Sequence, residues 1–201
     1  MKKIEKILEN QEEYSNSASG SYYSVLYNIA SNIDVDGFVV EIGTDLGESA
    51  IALASGLRDG GIDKKVITVD IGIIQEIRGD KLSESLRRAW VNEKIISHDL
   101  MTDIITIGCS SEEFSKFFDS PISLLFVDGS HDVELAMFDI KYYGDLISSG
   151  GIIVCDDYYP KDSLNRDGLS DILDEFFANS NDYIDITVSG DNNRLLMAQK
   201  I

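Results

Sequence analysis

Four side chains are typed and spaced for chemistry. Phe126-Val127-Asp128-Gly129-Ser130-His131 sets a carboxylate three residues before an imidazole, and Val154-Cys155-Asp156-Asp157-Tyr158 ends a second apolar run in two successive carboxylates. If the two runs are neighbouring strands, Asp128, Asp156 and Asp157 meet at one sheet edge. Three carboxylates in a partly desolvated cleft repel one another, so either one takes up a proton or a divalent cation neutralises them. All-oxygen ligation suits Mg²⁺, which keeps positions open for water and substrate oxygens. The plainer alternative is that Asp156 and Asp157 face opposite ways, as consecutive strand residues do. His131 is a candidate proton acceptor, since imidazole titrates near neutral pH. It is equally placed to sit beside a helix N-cap. His98 has no such company and is expected to face solvent.

Three other strand ends deserve the same scrutiny. Glu41-Ile42-Gly43-Thr44-Asp45-Leu46-Gly47-Glu48-Ser49 has E-x-G-x-x-x-G spacing. Glycines there allow a sharp turn and bring a ligand against the free N–H groups of the next helix. It is neither G-x-G-x-x-G nor a P-loop. Asp70 closes the run Lys65–Val69, where doubly wound folds place a ribose-binding acid, or merely a helix cap. Gly108-Cys109-Ser110-Ser111 is small enough to border a flat ring, and Ser110 with Glu113 also makes a capping box. No base is visible near Cys109, and Cys155 lies inside an apolar run, so both thiols are expected to pack.

The elements that must position these residues alternate. A helix is marked by Ile4, Ile7 and Leu8, and another by Tyr22, Leu26, Ile29 and Ile33. Strands are expected at 38–42, 65–70, 104–107, 122–127 and 152–155. Helices are expected at 48–58, at 80–101 with a break near Asn92, from Val133 to a C-cap at Gly150-Gly151, and at 169–177. Tyr183–Val188 with Arg194–Ala198 suits a closing hairpin around Gly190-Asp191. Strand–helix alternation with continuously apolar strands means an α/β fold with a mostly parallel, doubly wound sheet covered on both faces. Ligands in such sheets bind beyond the carboxyl ends of the strands.

The chain has 201 residues, 43% of them hydrophobic and 26% charged, with 17 Lys+Arg against 36 Asp+Glu and hence a formal charge of −19. One domain of ordinary size follows. Affinity for a nucleic-acid backbone or an anionic membrane comes from Lys and Arg displacing counterions, so both partners are disfavoured. Two cysteines make no disulfide framework. The first residues, MKKIEKILENQEEY, lack the continuous apolar stretch of a signal peptide, and the expected location is the cytoplasm. Tyr22, Tyr23 and Tyr27 on one N-terminal helix allow a homodimer.

Taken in order, VVEIGTDLGESAIALA, VITVD, ITIGCSSE and LLFVDGSHDVELAMFDIKYYGDLISSGGIIVCDDYY resemble class I S-adenosylmethionine-dependent methyltransferases. The nearest subgroup is the small metal-dependent O-methyltransferases of the catechol and antibiotic-sugar kind. The resemblance runs from about residue 36 to 160. It implies a seven-stranded sheet with a C-terminal antiparallel hairpin, a domain over 36–201 and a helical cap over 1–35. Glu41, Gly43, Thr44, Gly47 and Ser49 would shape the cofactor turn, Asp70 would bind the ribose with Ile71 beside it, and Cys109 and Ser110 would border the adenine. Asp128, Asp156 and Asp157 would hold Mg²⁺ and His131 would act as base, with Asp128 touching both sites. The catechol enzymes carry an amide where this chain has Asp157 and a lysine where it has His131, so the antibiotic-sugar branch fits better. Asp45 is acidic where a small or aromatic residue is expected. The implied reaction is methyl transfer to a hydroxyl of a small molecule. A cofactor-binding protein without transfer activity, and a hydroxylase on the same fold, are the alternatives; the missing G-x-G-x-x-G argues against a nicotinamide enzyme.

Overall fold

The computed structural model describes residues 21–72, 76, 77, 80, 81, 84–161, 163, 167–189 and 194–201. Apolar β-branched runs become strands and amphipathic stretches become helices. The first half runs α1 (Ser21–Ala30), β1 (Phe38–Ile42), α2 (Glu48–Asp59), β2 (Val66–Val69), β3 (Glu76–Ile77), β4 (Asp80–Lys81), α3 (Glu84–Ser97) and β5 (Ile104–Ile107). The second runs α4 (Ser111–Phe114), β6 (Ile122–Val127), α5 (Val133–Asp145), β7 (Ile147–Cys155), α6 (Gly168–Asn179), β8 (Tyr183–Ser189) and β9 (Leu195–Lys200). Apart from the short β3–β4 pair, the strands form one seven-stranded sheet in the order β5-β2-β1-β6-β7-β9-β8. Strands β5, β2, β1, β6 and β7 are parallel, while β9 runs antiparallel to β7 and β8 antiparallel to β9. This is the expected doubly wound sheet with its closing hairpin.

Alternation along each strand sends side chains to two separate cores. Val40, Ile42, Leu125, Val127 and Ile153 pack with Phe114, Ile140, Tyr143 and Leu173 from α4, α5 and α6. Val39, Val66, Leu124, Phe126 and Val154 pack with Leu26, Leu53, Leu57, Val91 and Ile95 from α1, α2 and α3. Each such aliphatic side chain, fully buried, contributes about 1.5–3 kcal/mol relative to exposure. Helix α1 is part of this second core: a Cβ on Gly56 of α2 would lie 2.4 Å from the Tyr27 carbonyl oxygen, so the two helices touch backbone to backbone. Residues 1–20, with the helix expected at Ile4–Leu8, lie outside the described residues.

Two expectations are corrected. Helix α3 continues through Asn92, because Asn92 points to solvent while Val91 and Ile95 keep the buried stripe in register. Gly150-Gly151 does not cap a helix: α5 ends at Asp145 with Leu146 as its C-cap, and both glycines lie inside β7. There the pairing with β6 slips between Ile122 and Leu124, Gly150 takes φ 84°, and a Cβ on Gly151 would come 2.8 Å from the Ser123 carbonyl oxygen. A local break in register, not a helix end, requires them. The turn at Gly190-Asp191 lies outside the described residues.

The chain order reverses between the adjacent strands β1 and β6, so the switch point lies where Gly43 follows one and Asp128 the other. The other acids end neighbouring strands at the same edge. Asp70 donates its N–H to Ile107 O at 3.0 Å, Asp128 to Ile42 O at 2.8 Å, and Asp156 to Val127 O at 2.9 Å.

Candidate active site

The turn after β1 is shaped by contact with the next strand. Gly43 has φ 97°, and a Cβ there would sit 2.0 Å from the Asp128 carbonyl oxygen. Asp70 then ties the turn down: its Oδ2 accepts from Thr44 N at 3.0 Å and Asp45 N at 3.2 Å, and its Oδ1 from Gly72 N at 2.6 Å. Asp45, unexpected in this turn, adopts φ 41°, a conformation that Asp tolerates better than most residues. It also meets Arg87 of α3, whose buried guanidinium reaches Asp45 Oδ1 at 2.9 Å and Asp70 Oδ2 at 3.5 Å.

A cleft of about 320 Å³ opens beside this turn, lined among others by Gly43, Asp70, Ile71, Cys109, Ser110 and Asp128. Six of the expected cofactor residues therefore share one cavity. Thr44 lines an adjoining hollow of about 160 Å³ with Asp45, Asp70 and Arg87. Glu41, Gly47 and Ser49 are buried behind the wall and line neither cavity. Ser110 lines the cleft and also caps α4, accepting from Glu113 N at 3.1 Å. Cys155 is packed in the core, where burial pushes its thiol up to about 12. Burial also raises the Cys109 thiol, which leaves it a poor nucleophile. His98 is half-buried, with Nδ1 2.8 Å from Lys94 O.

Two carboxyls in this region are buried without full partnership. Glu41 receives a hydrogen bond from Thr68 on Oε2, while its Oε1 has no hydrogen-bond partner among the described residues. Burial is the main cause pushing the Glu41 carboxyl up to about 8, with the neighbouring Ser49 and Thr68 hydroxyls opposing it. Asp139 of α5 lines the cleft, its Oδ1 without a hydrogen-bond partner among the described residues, and burial pushes its carboxyl up to about 6. The folded state holds the Glu41 proton more tightly than the unfolded chain, whose reference value is 4.5. Its contribution to stability is therefore fully present below about pH 4.5 and is lost as pH rises towards 8. Glu41→Gln should remove a loss on the order of 4 kcal/mol across that window. Urea midpoints of both proteins at about pH 5 and pH 9 check this; equal slopes would refute it.

Beyond the cleft, the three acids after β6 and β7 converge as expected. Asp128, Asp156 and Asp157 each place an oxygen within 4.8 Å of the others. They do not splay apart, because Asp157 turns at φ 53° instead of continuing the strand. Burial, then Asp156 and Asp157, push the Asp128 carboxyl up. His131 Nε2 lies 3.3 Å from Asp157 Oδ2. His131 also sits beside a helix N-cap: Asp132 caps α5, its Oδ1 accepting from Glu134 N at 3.0 Å and Leu135 N at 3.2 Å. Asp128, Gly129 and Ser130 line the large cleft and also the small hollow that contains His131, Asp156 and Asp157.

Arg194 and Arg87 were not foreseen. Arg194 donates from Nε to Asp156 Oδ1 at 2.6 Å, and from one terminal nitrogen to Asp156 Oδ2 at 2.6 Å and Asp157 Oδ1 at 2.8 Å. Its guanidinium lies 4.9 Å from the ring centre of Tyr22, which is buried and not free to pair with another chain. The only signal in the sequence is that cations are scarce in so acidic a chain.

The family described as Methyltransferase domain matches residues 40–158. Among solved structures, the O-methyltransferase TomG of Streptomyces achromogenes, involved in tomaymycin synthesis and complexed with SAM, superposes at TM-score 0.68 with 15% identity, covering 98% of this chain and 88% of that one. The SAH-bound methyltransferase PaMTH1 of Podospora anserina does so at 0.68 with 18% identity, covering 98% and 87%. An rRNA methylase from Streptococcus thermophilus does so at 0.60 with 15% identity, covering 88% and 95%. At these identities the superpositions establish a shared fold.

Proposed function

The chain belongs to the methyltransferase-domain family, and from that premise we propose that it transfers a methyl group from S-adenosylmethionine to a hydroxyl of a small molecule. One observation carries this reading: Asp128, Gly129 and Ser130 form a shared wall between the cleft at the glycine turn and the hollow holding His131. A cofactor in the first and an acceptor at the second would be neighbours.

The residues fit the cofactor. Gly43, having no Cβ, lets the turn lie directly against the Asp128 backbone at the cleft, Asp70 offers carboxylate oxygens at the cleft wall, and Ser110 and Cys109 line the same cavity. The acidic surroundings also suit a cationic sulfonium. Bound there, S-adenosylmethionine supplies an electrophilic methyl group. The chain's own part is to align an acceptor hydroxyl and take its proton. With Nε2–H directed at Asp157 Oδ2, His131 keeps a lone pair on Nδ1 that can accept that proton. Asp157 Oδ2, 3.3 Å from Nε2, holds the ring in that orientation. Holding both reactants in line supplies much of the remaining acceleration.

Mg²⁺ assistance, which the resemblance implies, is supported by the convergence of three carboxylate oxygens. It is opposed by Arg194, which already engages both oxygens of Asp156 and one of Asp157. No step is assigned to a metal. An RNA acceptor is disfavoured by the charge of −19, because phosphate binding depends on Lys and Arg. Pairing of two chains through α1 would have to use surfaces other than Tyr22.

Calorimetry with S-adenosylhomocysteine, followed by a screen of hydroxylated acceptors with methyl-labelled cofactor, tests the reading. Binding with labelled product is expected; binding without product from any acceptor would favour a cofactor-binding protein. Asp70→Ala should weaken S-adenosylhomocysteine by about 10- to 100-fold, since it removes a ligand and the anchor of the turn. An unchanged affinity would move the ribose site elsewhere.

A further inference from the structure

We infer that Arg194 is the resident cation of the Asp128–Asp156–Asp157 cluster, occupying the place of a divalent ion so that the site works without metal. The sheet fixes Arg194 there. Cys155 pairs with Leu196 across β7 and β9, and Arg194 O accepts from Tyr158 N at 2.9 Å, so the side chain emerges beside Asp156 and Asp157. Its planar fork matches one carboxylate with two parallel hydrogen bonds and reaches a second carboxylate with the same terminal nitrogen. The Asp156 side chain is 1% exposed, and Arg194 and Asp157 are each 21% exposed, so the pairing with Asp156 is largely held away from water. The face of the guanidinium is covered by Tyr22, a ring that is itself 5% exposed.

A metal would need the oxygens of Asp156 that Arg194 holds, and Arg194 would have to leave three hydrogen bonds and an aromatic face to release them. Bringing a second, doubly charged cation beside the guanidinium is worse, since the two repel. Arg194 also fixes Asp157, the carboxylate that faces His131, and so acts as a positioning residue for the proposed base.

The inference concerns the site of the proposed methyl transfer, yet its test needs neither cofactor nor acceptor, so the two can fail separately. Mn²⁺ serves as probe in paramagnetic resonance titrations and thermal melts of the full chain. Wild type should bind no Mn²⁺ below about 1 mM and show no shift in melting midpoint. Arg194→Met leaves the carboxylates without a counter-charge; it should melt lower, bind Mn²⁺ at least about 10-fold more tightly than wild type, and be stabilised by it. Adding Asp156→Asn to Arg194→Met should abolish the Mn²⁺ effect and restore part of the midpoint, which keeps the test alive should Arg194→Met alone fail to fold. Mn²⁺ binding by wild type that Asp156→Asn removes would overturn the inference. So would a stable Arg194→Met that gains no Mn²⁺ affinity.

Discussion

Gly43→Ala should abolish detectable binding of S-adenosylhomocysteine, a loss of at least about 100-fold, or prevent folding altogether. The new methyl group would sit 2.0 Å from Asp128 O and 2.5 Å from Asp128 C, both backbone atoms of the segment after β6. Neither can rotate away. The left-handed conformation at φ 97° adds strain for any residue with a Cβ. Together these cost roughly 3–5 kcal/mol. Two other glycines calibrate the effect. At Gly47, with φ 83°, the nearest atom is Val91 Cγ1 at 3.2 Å, a side chain that can shift, so Gly47→Ala should cost only about 1–2 kcal/mol. At Gly61, with φ 70°, nothing lies within 4 Å, and only the backbone strain of about 1 kcal/mol is expected. Calorimetry and urea denaturation of the three variants check the order; a Gly43→Ala protein that binds like wild type would show that the cofactor does not use this turn.

His131→Ala should lower turnover by about 10²- to 10⁴-fold with whichever acceptor the screen identifies, while leaving S-adenosylhomocysteine affinity within about 2-fold. The His131 side chain is 67% exposed and carries little of the fold, so the midpoint of unfolding should stay within about 0.5 kcal/mol of wild type. That separation between turnover, cofactor affinity and stability distinguishes a base from a structural residue. Asp157→Asn should have the same direction and a smaller size: asparagine accepts the φ of 53° and preserves the fold, but it removes the carboxylate that faces His131 Nε2 and orients the ring. A histidine variant with full turnover would return the base to another group.

Much of this site was readable before folding was considered. Strands β1 and β6 run over the residues expected of them, 38–42 and 122–127, because both are predominantly apolar runs, broken only by Glu41 and Ser123, and are cut off by Gly43 and Asp128. The acids that follow them had to emerge at the sheet's carboxyl edge once the strands were parallel. At two places one local signal serves two structures. Glycine pairs end helices and also relieve crowding at breaks in strand register, and only the pairing of Ile147 with Ile122 and Ile152 with Leu124 tells which is needed at Gly150-Gly151. Asn92 looked like a helix breaker because propensity carries no information on which face of a helix meets water.

The local order of apolar runs, glycines and acids determined the strands, the residue that ends each of them, and so which acids stand at the sheet's carboxyl edge. Those features depend on residues near one another in the chain. Which cation answers those acids was decided only in three dimensions. Arg194 is 38 residues from Asp156 and Arg87 is 42 from Asp45, and nothing in their immediate neighbours marks them. Charges separated so far along the chain acquire partners only when strand pairing and helix packing bring them within hydrogen-bonding distance, in a place dry enough for the pairing to matter.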